Sequence, residues 1–162
     1  MLAAMRVLGL DPGFATIGFA VIEGRPPSGL TLLTCGCIRT APGSPAGQRL
    51  LEIHRDLGDL IARYRPEVAA VETFLVNRNV TNAIAIGQTR GVLLLALAQS
   101  GIGVAEYAPN TVKKAVVGYG RGMKSQVQSM VARILRLAEP PHPDDAADAA
   151  AIAICHRFSG GR

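Results

Sequence analysis

Val7-Leu8-Gly9-Leu10-Asp11-Pro12-Gly13-Phe14-Ala15-Thr16-Ile17-Gly18-Phe19-Ala20-Val21-Ile22 is the stretch on which the reading of this chain turns. Two apolar runs flank Pro12 and Gly13, the pattern of a strand, a tight bend and a second strand. One carboxylate, Asp11, closes the first run, and no other acid occurs before Glu23. A charge at the end of a buried strand is costly unless hydrogen bonds or a cation compensate it. Asp also caps turns by bonding backbone amides ahead of it. The stretch by itself does not separate these two roles.

Working outward, residues 6–11 and 15–23 read as adjacent antiparallel strands, and 30–39 as a third after the turn-rich Glu23–Gly29 connection. Between residues 48 and 63, Leu50, Ile53, Leu57, Leu60 and Ile61 recur at helical spacing, and the helix stops before Pro66. Val68-Ala69-Ala70-Val71-Glu72 is a short apolar run that also ends in a carboxylate. Residues 79–98 read as a long helix capped by Asn79, with Val92–Ala98 apolar all round. Such a helix is wholly buried or shared with a second subunit, and Gly87 and Gly91 allow close approach. A strand over 103–107 and helices over 109–117, 124–137 and 144–156 complete the pattern. The order implies a mixed five-stranded α/β sheet with helices on both faces, in one domain over residues 1–162. Ligands collect at the carboxyl ends of parallel strands in such sheets, and both Asp11 and Glu72 end strands.

The composition belongs to a globular chain, 49% hydrophobic and 18% charged. Neither a signal peptide nor an unbroken apolar run of membrane-spanning length is evident, so the expected setting is cytoplasmic. Three cysteines, Cys35, Cys37 and Cys155, argue against a disulfide framework and read as buried reduced thiols. From Thr73 to Ala138 there are eight basic residues and one acid, Glu106. That imbalance points to a polyanionic partner, nucleic acid first. With no Trp and seven Phe and Tyr in all, phosphate contacts should dominate over base stacking.

The last helix opens His142-Pro143-Asp144-Asp145-Ala146-Ala147-Asp148. Asp145 and Asp148, three apart, share a helical face. Asp144 or Asp145 could cap the helix, whereas Asp148 sits among alanines on a segment that reads as buried. Asp11, Glu72, Asp145 and Asp148 are thus candidate metal ligands on three elements. Four gathered carboxylates repel, and oxygen-only ligands suit Mg²⁺ or Mn²⁺. Two such ions, roughly 3.5–4 Å apart, would clamp the oxygens of an in-line phosphodiester displacement. Setting the four acids aside leaves 17 basic against 12 − 4 = 8 acidic residues, a strongly basic remainder. His142 is placed to assist proton transfer. Gly118-Tyr119-Gly120-Arg121-Gly122-Met123-Lys124-Ser125 superficially looks like a phosphate-binding loop, but Met123 stands where the Walker pattern needs Gly. It reads as a basic loop for a nucleic-acid backbone.

The pieces GLDPGFATIGFAVI, VAAVETF, KKAVVGYGRGMKSQVQSMV and DDAADAAAIAICH, in this order, resemble the RuvC-type Holliday junction resolvases over nearly the whole chain. The resemblance implies a ribonuclease H-like three-layer fold, a homodimer, and Mg²⁺- or Mn²⁺-dependent nicking of four-way DNA junctions in recombination and repair. A branch-migration motor is a further implied partner. It places the family's acids on Asp11, Glu72, Asp145 and Asp148, with Asp144 outside the pattern. DNA-binding lysines fall on Lys113 and Lys124, and Arg121 and Arg78 join them as basic candidates. The family's junction-stacking Phe falls on Leu75, with Phe74 one residue earlier. The competing readings are a catalytically inactive DNA-binding module, a resolvase-like enzyme of RNA precursors, and an actin-like or sugar-kinase ATPase. The last would need a second lobe.

Overall fold

The computed structural model describes residues 4–13, 15–26, 29–73 and 80–160. The strands are β1 (Arg6–Pro12), β2 (Thr16–Arg25), β3 (Gly29–Arg39), β4 (Val68–Glu72) and β5 (Gly103–Tyr107). The helices are α1 (Ala46–Tyr64), α2 (Val80–Gln99), α3 (Pro109–Val117), α4 (Lys124–Ile134) and α5 (Asp144–Phe158). All five strands form one sheet in the order β3-β2-β1-β4-β5. The first three make the expected antiparallel meander, and β4 and β5 join parallel to β1.

Strand alternation divides the core into two layers. On one face Val7, Ala20, Ile22 and Ala70 meet α3, α4 and the alanine-rich α5. On the other, Leu8, Leu10, Val21 and Val71 meet α1 and α2. Helix α1 buries Ile53, Leu57 and Ile61, one per turn, and closes where Arg65 turns left-handed and donates its N–H to Ile61 O at 2.8 Å.

One expectation needs correction, and one alternative is narrowed. Helix α4 stops at Ile134 rather than 137, because Arg136 adopts φ 56° and Leu137 N–H returns to Ala132 O at 2.8 Å. Leu135, just before that turn, is buried in the core. Helix α2 is not wholly buried: Thr89, Leu93, Ala96 and Leu97 face inward, while Val80 (63% exposed), Ile84 (60%) and Leu95 (52%) face out. By length and composition it is the one helix among the described residues apolar enough to cross a membrane. The cysteines are free, with Cys155 buried and Cys35 and Cys37 only half-buried.

Candidate functional site

Asp11 and Glu72 meet because of register and parity. The parallel pairing of β1 and β4 runs to Leu10↔Val71, so the next residues, Asp11 and Glu72, stand side by side. Leu10 and Val71 point toward α1 and α2, so their successors point toward α5. Helix α5 then delivers the other two acids. It lies unusually close to the sheet because Gly9 and Gly18 lack side chains. A Cβ at Gly9 would collide with the Ala149 carbonyl oxygen, and one at Gly18 with that of Asp145. Gly18 is the register partner of Asp11, so seating Asp145 over it sets Asp145 beside Asp11.

The carboxylate oxygens of Asp11, Asp145 and Asp148 lie within 4.8 Å of one another. Glu72 lines the same cavity, of about 240 Å³, together with Asp11, Asp148, Lys113 and Lys124. Burial, and then repulsion by Glu72, Asp148 and Asp145, pushes the Asp11 carboxyl up to about 7. Burial followed by the nearby Asp148 raises Glu72, partly offset by Lys113. Burial also raises Asp148, partly offset by Lys124. Such a cluster is short of positive charge. A hard divalent cation fits an all-carboxylate donor set of this kind, and no cysteine or histidine belongs to it.

Lys124 is the one cation in direct contact with these acids among the described residues. Its Nζ stands 3.1 Å from Asp148 Oδ2 and 3.3 Å from Asp144 Oδ2. Asp144 stays outside the three-acid group but shares Lys124 with Asp148. Gln128 donates to its other oxygen at 3.0 Å, and Asp144 bridges α4 to α5. This hydrogen bond, and then Lys124, hold its carboxyl below the usual range. Neither Asp144 nor Asp145 caps α5 by side chain; Pro143 occupies that position. His142 is exposed and outside the cavity lining. Lys113 faces the acids, whereas Lys114 and Arg121 line a separate recess of about 570 Å³ with Asn110, Thr111 and Gly120. Gln126 accepts the Met123 N–H at 2.8 Å, so α4 begins by capping itself rather than by offering a Walker-type loop. Phe74, Leu75 and Arg78 lie outside the described residues.

The family model for crossover junction endodeoxyribonuclease RuvC matches residues 7–156, from β1 into the last turns of α5. The chain belongs to the RuvC family. A RuvC crossover junction endodeoxyribonuclease of Pelotomaculum thermopropionicum is 50% identical, over 94% of this chain and 92% of the relative. That of Chloroflexus aggregans is 51% identical over 96% and 94%. In three dimensions the chain superposes on Thermus thermophilus RuvC in complex with a Holliday junction substrate with a TM-score of 0.92. That pair shares 36% identity, over 97% of this chain and 95% of the other. The ribonuclease H-like fold expected from the sequence is therefore the RuvC fold. The glycine seats at Gly9 and Gly18 and the Asp144 bridge escape a search for charged ligands. The signal for the seats is a glycine inside a strand, which marks close approach of another backbone.

Proposed function

We propose that this chain is a junction-resolving endodeoxyribonuclease that nicks four-way DNA at the cavity formed by Asp11, Glu72, Asp145 and Asp148. The observation that carries this reading is the convergence of three carboxylates within 4.8 Å beside Lys124, in a chain of the RuvC family. Asp11, Asp145 and Asp148 would hold Mg²⁺ or Mn²⁺, with Glu72 completing the donor set from the neighbouring strand. Bound there, two ions would supply an activated water and Lewis-acid stabilisation of a phosphodiester under in-line attack. Lys113 and Lys124 stand at the same cavity to receive backbone phosphates, and Lys114 and Arg121 extend the basic surface next to it. The same features favour a nuclease over an inactive DNA-binding module, because pure binding of a polyanion gains nothing from four mutually repelling carboxylates.

The test is an immobile four-way junction, labelled on each strand in turn, against linear duplex of the same sequence. Metal-dependent nicks in two opposed strands of the junction, with the duplex spared, are expected. Equal cutting of the duplex, or none with either metal, would refute the reading. Lys124→Ala should weaken junction binding and make the dependence of log affinity on log salt shallower by roughly one unit. Titration at several salt concentrations measures this.

Paired cuts need paired sites. We infer that α2 supplies the contact between two copies of the chain. Val80, Ile84, Gly87, Gly91, Leu95 and Ala98 recur at helical spacing and are all exposed, and nothing lies over either glycine within 4 Å. A self-complementary stripe of this kind suits an isologous dimer, which carries two sites with two-fold symmetry. Leu94 is half-buried, so Leu95 is the cleaner probe. Leu95→Asp should sediment as a folded monomer at micromolar concentration, with unchanged circular dichroism and no paired cutting.

A further inference from the structure

Arg90 sits on α2 between the exposed Gly87 and Gly91, but its side chain points inward, 18% exposed. One guanidinium nitrogen, Nη1, donates to the Glu72 carbonyl oxygen at 3.2 Å. The other, Nη2, pairs with Glu106 Oε1 at 2.5 Å. These acceptors end two neighbouring parallel strands, whose register runs Val71↔Glu106 and Glu72↔Tyr107. The pairing persists one step further, where Thr73 N–H donates to Tyr107 O at 2.8 Å. Glu72 thus has its side chain in the acid cavity on the α5 face and its main-chain oxygen held from the α2 face. We propose that Arg90 is a positioning residue, a strut from α2 that fixes the main chain at the end of β4 and so aims the Glu72 carboxylate.

Glu72 is the last residue of β4: on its β5 side the pairing runs on through Thr73, but on its β1 side no ladder pair follows Leu10↔Val71. A planar guanidinium that joins the Glu72 carbonyl to the Glu106 carboxylate holds that main chain far better than a flexible ammonium. Charge-assisted bonds of this geometry are among the stronger ones available. Residues that orient ligands typically change metal affinity or activity by about 10–100-fold when removed.

This rests on the reading of Glu72 as a metal-site residue, and the test separates the two. Arg90→Gln, Arg90→Lys and Glu106→Gln would be compared with wild type in three measurements. These are Mn²⁺ binding to DNA-free protein by calorimetry, junction affinity without divalent metal, and single-turnover nicking. Arg90→Gln should lose about tenfold in Mn²⁺ affinity and about 10–100-fold in nicking, with junction affinity within twofold. Arg90→Lys should recover part of both losses, and Glu106→Gln should show a smaller loss of the same kind. Mn²⁺ affinity and nicking both within twofold of wild type in Arg90→Gln would overturn the proposal. So would a nicking loss that junction affinity accounts for in full, since Arg90 would then be a DNA contact. Should Arg90→Gln not fold, Glu106→Gln, altered at a half-exposed side chain, decides by the same Mn²⁺ criterion. Wild-type protein that neither binds Mn²⁺ nor cuts would instead remove the underlying reading of the site.

Discussion

Asp11→Asn should lower nicking by roughly three orders of magnitude and, without metal at pH 8, make the protein more stable. Both effects have one origin. Asn keeps the shape but not the charge, so the proposed cation site would lose a ligand worth several kcal/mol of barrier. The same charge burdens the metal-free fold. In the folded chain Asp11 titrates at about 7, against 3.8 for the unperturbed group. Because the folded value is raised, the ionised carboxylate costs stability as pH climbs from about 4, and the cost is complete above about 7. Removing it should gain a few kcal/mol at pH 8, a rise in Tm of roughly 5–10 °C for a chain of this size, and little at pH 4. Millimolar Mn²⁺ should raise the wild-type Tm and leave that of Asp11→Asn nearly unmoved. Melting curves at pH 4 and 8, with and without metal, check each part. Cleavage by the variant within tenfold of wild type would remove Asp11 from the mechanism.

Gly18→Ala is expected to damage both fold and site. The new methyl would meet main-chain atoms of Asp145, which cannot rotate aside as a side-chain tip can. Helix α5 must lift or slide, breaking contacts of the alanine layer at a cost of about 1–3 kcal/mol. The displaced helix carries Asp145 and Asp148, and an ångström of misplacement in a preorganised site costs roughly 10²-fold in rate. Gly58→Ala is the control. Gly58 lies within α1, where an added Cβ meets nothing within 4 Å, and alanine there should stabilise by roughly 0.5–1 kcal/mol. Paired melting and nicking assays separate the variants. A Gly18→Ala protein with wild-type activity would show that α5 is not seated on that glycine.

The strands and helices were legible because their apolar spacing is strict. Ile53, Leu57 and Ile61 mark α1, and the runs ending in Asp11 and Glu72 mark β1 and β4. The four acids stood out because they interrupt segments that otherwise read as core. Contacts made by backbone atoms were not legible in the same way. That Gly18 receives the Asp145 carbonyl depends on how α5 crosses the sheet, which the periodicity of either element does not encode. The end of α4 was missed for a related reason. Arg136 is a good helix former, and its left-handed turn, closed by Leu137 N–H on Ala132 O, is not encoded in its own propensity. The outward face of α2 was ambiguous from its composition, since an all-apolar helix suits a buried core and a shared surface equally. The Asp144 bridge was not legible because helical spacing does not encode the reach of Lys124 from α4.

Whether two such sites act as a pair on one junction is decided with a supercoiled plasmid that carries an extruded cruciform. Nicking one strand releases the supercoiling that holds the cruciform, so the second cut must follow within the lifetime of the bound complex. Wild-type protein with Mg²⁺ or Mn²⁺ should convert the plasmid straight to linear DNA, with cuts symmetric about the junction. Accumulation of singly nicked circles with no linear product would contradict it.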